Sequence, residues 1–134
     1  ILEMGLRETW GLLVPEGHPL ENATSVHGKQ LRREELILPE NSFFQSELLR
    51  YLGAGAQERV GATYNLIYNA FPLAKASREL IVCLGHPGER QGGLIFIPFA
   101  NGKDAYASLI WKKRPVQSPA LAAFLEHIGH TVSE

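Results

Sequence analysis

The sequence has little cysteine, no excess of charge of either sign and no long apolar run. The single cysteine, Cys83, leaves no partner for an internal disulfide bond, which is typical of a protein from a reducing compartment such as the cytoplasm. The 13 basic and 14 acidic residues give a net charge of −1, so the chain lacks the basic surface that attracts nucleic acid. No apolar run approaches the ~18 residues that cross a bilayer. These absences argue against a membrane span and against DNA binding by this chain alone.

The length and composition favour one globular domain. The chain has 134 residues, of which 45% are hydrophobic and 20% charged. A domain of this length buries roughly two thirds of its unfolded surface. The first residue is Ile1 and the only methionine is Met4, so we expect a fragment of a longer protein.

A strand that runs directly into a helix is predicted between Glu58 and Ser77. Alternation with Gly61 and Thr63 predicts a strand from these residues: Val60, Ala62 and Tyr64. Asn65 is then placed to cap the helix, in which Pro72 predicts a kink or an end near Phe71. The predicted buried stripe of the helix is Leu66, Ala70, Leu73 and Ala74.

A second strand and helix precede this pair. Leu36 to Leu38 form a short apolar strand that Pro39 ends, and Ser42 has the capping-box spacing to Gln45. Gly53 is the expected left-handed end of the helix. The predicted buried stripe is Phe44, Leu48, Tyr51 and Leu52.

Four further strands and a last helix complete the prediction. The strands are residues 6–14, 80–84, 94–99 and 106–113, with a turn at Asn101-Gly102. Ser118 caps the last helix, Pro119 occupies its first position, and Gly129 is its expected end. The apolar stripe of this helix is Leu121, Phe124, Leu125 and Ile128. Strands that alternate with capped helices predict an α/β fold with a wound, three-layer mixed sheet.

The helix starts indicate a binding site. Free amide groups and the helix dipole attract carboxylates and phosphates, and ligands of open α/β sheets bind at the carboxyl ends of strands. We therefore expect Thr63, Tyr64 and Asn65 to contact a small anionic molecule. Asn65 and Ser42 are equally open to a purely structural role as caps. Tyr68 faces either this cleft or the core, and the sequence does not decide between them.

Four other features favour structural roles. Cys83 lies in an apolar run and reads as an inert core thiol, although a nucleophile pair with His86 is an alternative. Residues 85–93 lack the Lys-Ser/Thr ending of a phosphate loop and favour a turn. His127 and His130 lie one helical turn apart, so a metal site is an alternative to a complement of the helix dipole. Residues 112–114 form a basic cluster, more typical of a solvated strand end than of a DNA contact.

Four segments, in order, resemble the effector-binding domain of the LysR-type transcriptional regulators of bacteria. They are WGLLVPEGHPL, ELILPENS, VGATYNLIYNA and SLIWKKRPVQSPALAAFLEHI, and they run from Trp10 to Ile128. The resemblance implies two α/β lobes like those of type II periplasmic binding proteins. Residues of about 20–99 would be the complete second lobe, and residues 1–19 and 100–134 would be the hinge strands and C-terminal helix of the first. The DNA-binding winged helix-turn-helix, the linker helix and the opening half of the first lobe would lie outside this chain.

The resemblance also implies a site and partners. Its effector contacts fall on two turns: Asn41, Ser42, Phe43, Thr63, Tyr64 and Asn65. It implies a homodimer that binds a small effector, without catalysis, cofactor or membrane contact, and that reaches DNA only through the missing domain. If half of the first lobe is missing, the apolar stripe of the last helix has only two strands to cover, and part of this stripe should be exposed. Exposed apolar surface also predicts association. A stand-alone small-molecule binding module without a DNA role is the alternative, and an enzyme that uses Cys83 and His86 is the third hypothesis.

Overall fold

The computed structural model describes residues 1–31 and 33–133. The strands are β1 (Leu2–Pro15), β2 (Leu36–Pro39), β3 (Val60–Tyr64), β4 (Leu80–Gly85), β5 (Arg90–Gln91), β6 (Leu94–Pro98) and β7 (Asp104–Leu109). The helices are α1 (Ser42–Leu52), α2 (Ile67–Ser77) and α3 (Pro119–Ser133), with short 3-10 turns at Gly28–Leu31 and Ala56–Arg59. The chain divides into two compact units, Thr9–Asp104 and a smaller one that combines Ile1–Glu8 with Ala105–Glu134.

The larger unit is built on a mixed sheet with the strand order β3-β2-β4-β1-β6-β5. β2 runs parallel to β3 and to β4, whereas β1 pairs antiparallel with β4 and with β6. The apolar runs of β2, β4 and β6 are buried almost throughout, as expected for strands that are covered on both faces. The predicted strands at 36–38, 80–84 and 94–99 are confirmed, whereas β5 was not predicted.

The core lies in two layers, one on each face of this sheet. On one face, Leu48 and Leu52 of α1 pack with alternate strand residues such as Leu36 and Leu38. On the other face, Ala70 and Ala74 of α2 pack with strand residues that include Ile37. Helix, sheet and helix therefore form three layers, and the predicted α/β fold with a wound mixed sheet is confirmed.

The residue that caps α1 differs from the predicted one. The side-chain oxygen of Asn41, not the Ser42 hydroxyl, accepts hydrogen bonds from the amides of Phe43 and Phe44, at 3.0 and 3.2 Å. The Gln45 side chain donates to the carbonyl of Pro39 at 3.2 Å, so the predicted capping box is wrong. Asparagine one residue earlier reaches the second and third amides of the helix, which is the usual geometry of a cap.

The end of α1 and its buried stripe follow the sequence in part. The helix ends at Gly53 as predicted, although the φ of 93° and ψ of −173° lie outside the left-handed helical region. Leu48 and Leu52 of the predicted stripe are buried. Tyr51 is half-buried and its ring stacks on Phe99. Phe44 is 39% exposed, so it does not belong to the core.

The start of α2 also differs from the prediction. The helix begins at Ile67, so Leu66 occupies the cap position and Asn65 stands one residue too early to cap it. The Asn65 side-chain oxygen accepts instead from the adjacent amide of Leu66, at 2.8 Å. Leu66 and Leu73 are 64% and 41% exposed, so their place in the predicted stripe is wrong. The contacting face is Ile67, Ala70, Phe71 and Ala74.

Helix α2 continues past Pro72 to Ser77, so of the predicted kink or end near Phe71 the end is wrong, and the kink stays a prediction. Proline removes the hydrogen bond to the carbonyl four residues earlier, that of Tyr68. Both Pro72 and Tyr68 are exposed, and water can satisfy the carbonyl on this side of the helix.

Strand β3 lies where predicted, but its alternation is interrupted. Leu36 and Ile37 of β2 face Val60 and Ala62, so Gly61 is an extra residue. A bulge of this kind turns the following side chains to the other face. Val60 therefore packs beside α1, whereas Ala62 and Tyr64 pack beside α2.

The smaller unit contains the first part of β1, strand β7 and helix α3. β7 pairs with β1 and ends at Leu109, earlier than the predicted end at residue 113. Ser118 caps α3 as predicted, since its hydroxyl accepts from the Leu121 amide at 3.2 Å. The helix continues past Gly129 to Ser133, so the predicted end is wrong. Within the described ranges, none of the helices combines the length and apolar character needed to cross a bilayer.

Candidate functional site

The topology of the larger unit creates a crevice at the carboxyl ends of β2 and β3. These strands are parallel neighbours, yet β2 leads into α1 on one face of the sheet and β3 leads into α2 on the other. The two connections diverge, which in open α/β sheets leaves room for a ligand. The Glu40 amide donates to the Tyr64 carbonyl at 2.7 Å and so joins the two turns.

An open cleft of about 740 Å³ lies at this edge. Its lining residues are Trp10, Pro39, Glu40, Asn41, Phe44, Tyr64, Asn65, Leu66, Ile67, Tyr68, Cys83 and Leu84. The volume lies in the range of small-molecule sites, which are typically apolar with a few placed polar groups. The cleft therefore suits a small molecule rather than a polymer.

Aromatic side chains form much of the cleft wall. Trp10 of β1 lies opposite Leu84 of β4, and its ring centroid is 5.4 Å from that of Phe44 on α1. Tyr68 of α2 is 74% exposed and makes an edge contact with Phe71. Tyr68 is also one of the residues that line the cleft, so it faces the cleft and not the core.

The two helix starts at the cleft differ in how their amides are satisfied. At α1, Asn41 accepts from two of the first amides. At α2, no side chain caps the start, and the first two amides of a helix, here those of Ile67 and Tyr68, have no intrahelical acceptor. The positive end of the α2 dipole therefore faces the cleft without a side-chain acceptor.

The Tyr64 hydroxyl is committed to the structure rather than to the cleft. It donates to the carbonyl of Val82 at 2.8 Å. Burial raises the pKa of Tyr64 strongly, and the nearby Cys83 thiol raises it further. The phenol is therefore neutral and acts as a brace between β3 and β4, while other parts of the residue line the cleft.

Among the described lining residues, Glu40 alone carries a formal charge at neutral pH. Cys83, also in the lining, is 2% exposed, so its predicted place in the core is confirmed. His86 is exposed in the turn that follows β4, where its amide donates to Glu89 at 3.2 Å. The side chains thus differ greatly in access to solvent, which does not favour a nucleophile pair.

The structure brings three of the six predicted effector contacts to the cleft. Asn41, Tyr64 and Asn65 are among its lining residues, whereas Ser42, Phe43 and Thr63 are not. Ser42 and Phe43 are exposed on the first turn of α1, and Thr63 alternates to the side of β3 opposite Tyr64. Whether any of the six binds an effector stays a prediction.

Several cleft residues were not predicted from the sequence. Trp10 lies at the cleft because β1 pairs with β4, with Trp10 opposite Leu84. The sequence alone does not reveal which residues of the two strands pair. Glu40 was detectable, because it directly precedes Asn41 in the turn after a predicted strand. Phe44 was assigned to the buried stripe because its helical spacing to Leu48 resembles that of a core residue.

The remaining features singled out in the sequence lie outside the described lining of the cleft. Among the described residues, no group of three metal-ligating side chains is present. Residues 85–93 contain β5, which pairs with β6 in a hairpin, so the segment predicted as a turn also holds a short strand. The basic residues 112–114 are exposed and follow β7.

Comparison with known proteins identifies a family and similar solved structures. Residues 3–133 match the model of the LysR substrate binding domain, and no curated protein matches the chain. The PA01 protein of Pseudomonas aeruginosa, described as a LysR family transcriptional regulator, has a TM-score of 0.73 at 15% identity, over 98% of this chain and 48% of that chain.

Two further solved structures share the fold. The C-terminal domain of a LysR family regulator from Rhodococcus sp. RHA1 has a TM-score of 0.74 at 14% identity, over 96% of this chain and 66% of that chain. The effector binding domain of QuiR in complex with shikimate has a TM-score of 0.70 at 17% identity, over 98% of this chain and 64% of that chain. This chain thus spans between 48% and 66% of these three chains.

Proposed function

Because this chain belongs to the LysR substrate-binding domain family, we propose that it is the effector-sensing part of a bacterial transcriptional regulator. It binds a small anionic molecule and thereby changes how a winged helix-turn-helix outside this chain binds DNA. The regulator acts in the cytoplasm as a homodimer and performs no catalysis. Residues of about 20–99 form the second lobe, and the flanking segments belong to the first.

The observation that carries this proposal is the cleft at the diverging turns after β2 and β3. Its polar end is the start of α2, where the Ile67 and Tyr68 amides lack a side-chain cap. An anionic group beside these amides gains hydrogen bonds and a dipole interaction of about 0.3–1 kcal/mol. Asn65 offers its side-chain amide hydrogens at the same end, because only its oxygen is engaged, by the Leu66 amide.

The apolar part of the effector packs on the aromatic wall. Trp10, Phe44 and Tyr68 present ring surface to the cleft, and an aromatic or alicyclic body buries apolar area there. QuiR, whose domain shares this fold, is bound to shikimate, a small cyclic carboxylate. That likeness supports small carboxylates as the first compounds to examine.

Binding in the cleft can change the conformation of the domain, because the cleft is lined by helices on both faces of the sheet. Asn41 and Phe44 belong to the start of α1, and Ile67 and Tyr68 to the start of α2. A ligand shifts a conformational equilibrium only through its different affinities for the two states, typically by ~1–3 kcal/mol. A molecule held between both helix starts has contacts that depend on their spacing.

The test is a titration of the chain with shikimate and a panel of small carboxylates, followed by ligand-observed NMR. We expect saturable binding that Asn65→Ala weakens by about tenfold, since a side-chain amide that bonds a carboxylate is a charge-assisted donor. Asn69→Ala is the matched control, because Asn69 is an exposed asparagine of α2 outside the lining. Equal affinity for both variants, or no saturable binding by any carboxylate, would contradict the proposed site.

A further inference from the structure

The only formal charge in the described cleft lining is negative. Glu40 is exposed, and no ion pair joins its carboxylate to a described residue. No lysine, arginine or histidine is among the described lining residues. A purely anionic ligand would therefore meet a carboxylate that nothing in the described lining neutralises, at the same turns where it binds.

We propose that Glu40 determines specificity by accepting an ammonium group, so that the effector is a zwitterion with an aromatic or apolar body. This inference rests on the proposed function and deepens it, because it adds a cationic group to the anionic one at α2. The ammonium group lies beside Glu40, and the carboxylate lies at the amides of Ile67 and Tyr68. The molecule that fits this description is an α-amino acid with a large apolar side chain.

The spacing of the two turns suits such a molecule. The Glu40 amide bonds the Tyr64 carbonyl at 2.7 Å, so the turns lie at the spacing of neighbouring strands, about 4.8 Å. Leu66, the residue at the cap position of α2, follows Tyr64 by two residues. The ammonium and carboxylate groups of an amino acid are separated by one carbon atom, so one small ligand reaches both turns.

The aromatic wall supports the cation as well as the apolar body. The rings of Trp10 and Phe44 stand 5.4 Å apart and both line the cleft with Glu40. An ammonium group near an aromatic face gains a cation–π interaction, which is strongest at tryptophan. One carboxylate and several rings, with no basic side chain among the described lining residues, are the chemistry that recognises an amine.

The test compares three probes that share one ring and chain. L-phenylalanine carries both charged groups, phenethylamine lacks the carboxylate, and 3-phenylpropionate lacks the ammonium group. Each is titrated into the chain at pH 7, with the ligand signals followed by NMR. We expect L-phenylalanine to bind most tightly and 3-phenylpropionate to bind most weakly, by about tenfold, as a charge-assisted contact to Glu40 implies.

Glu40→Gln tests the negative charge of Glu40, because glutamine keeps the size of the side chain and removes the charge. We expect it to weaken L-phenylalanine and phenethylamine by about tenfold and to leave 3-phenylpropionate unchanged or slightly tighter. Glu35→Gln is the matched control, because Glu35 is an exposed glutamate that directly precedes the opposite end of β2. Equal binding of all three probes, tighter binding of 3-phenylpropionate, or an unchanged L-phenylalanine affinity in Glu40→Gln would overturn the inference.

The outcomes separate this inference from the proposed function. If 3-phenylpropionate or shikimate binds, and Asn65→Ala lowers its affinity while Glu40→Gln does not, the effector cleft is supported and the role of Glu40 is wrong. If none of the three probes binds, the zwitterion inference is wrong, and the carboxylate panel with Asn65→Ala and Asn69→Ala tests the proposed function by itself.

Discussion

The starts of α1 and α2 occupy equivalent places in the fold but are built differently. Each helix follows a parallel strand and begins at the same cleft. Asn41 caps α1 through two hydrogen bonds, whereas Leu66 stands at the cap position of α2 and offers none. The comparison shows that a side chain satisfies the first amides of α1, whereas no side chain caps the start of α2.

The start of α2 is held in place from the sheet instead. The Tyr64 hydroxyl donates to Val82 on β4 across the intervening β2, and the Tyr64 carbonyl accepts from the Glu40 amide. The chain is thereby fixed at Tyr64, three residues before the first residue of α2, without use of the helix amides. Positioning and capping are separate functions here, and they can be disrupted separately.

The largest effect on stability is expected for Tyr64→Phe, which removes the hydrogen bond from β3 to β4 just before α2. The free energy of unfolding should fall by about 1.5 kcal/mol, because a hydrogen bond is lost and the buried carbonyl of Val82 loses a donor. Urea denaturation followed by circular dichroism measures this change. A loss below the error of the measurement would show that the hydroxyl does not position the turn.

The same residue makes the stability depend on pH. The pKa of Tyr64 is raised in the folded state above its ordinary value of 10.0, so folding favours the neutral phenol. This contribution is fully present below about pH 10 and is lost as the pH rises through the folded-state pKa. The difference in stability between the wild type and Tyr64→Phe should therefore shrink above pH 10, in paired denaturation curves at pH 8 and 11.

The next effect is expected for Asn41→Ala, which makes α1 resemble α2. Loss of both cap bonds should lower the free energy of unfolding by about 1 kcal/mol. Ser42→Ala is the control, because the Ser42 hydroxyl takes no part in the cap, and it should change stability by no more than a few tenths of a kcal/mol. Equal losses in the two variants, in parallel urea titrations, would restore the serine cap predicted from the sequence.

The smallest effect on stability is expected for Leu66→Asp, which makes α2 resemble α1. Leu66 is 64% exposed, so little burial is lost, and an aspartate cap should raise the free energy of unfolding by about 0.5 kcal/mol. The variant should also lose affinity for small carboxylates, since its own carboxylate occupies the amides. Leu66→Asn separates the effects, because it caps without charge; carboxylate binding that survives in both variants would place the anion elsewhere.

Local sequence signals predicted the elements well where one residue type decides the outcome. The buried run of β4 and the Ser118 cap of α3 lie where predicted, because burial on both faces and a hydroxyl before proline are local properties. The caps of α1 and α2 were misplaced by one residue. Asn41 and Ser42 are both good caps, and Asn65 is a better cap than Leu66, so only the path of the chain from the strand selects the position.

The sequence by itself determined the α/β class, the alternation of strands with helices and the two turns at which a ligand site was expected. These follow from hydrophobic periodicity and turn residues, which act over a few positions. Only the tertiary structure decided that Trp10, Glu40, Phe44 and Tyr68 meet Asn65 at one cleft. Strand order, the bulge at Gly61 and the register of β1 on β4 depend on packing between distant segments, which no local pattern encodes.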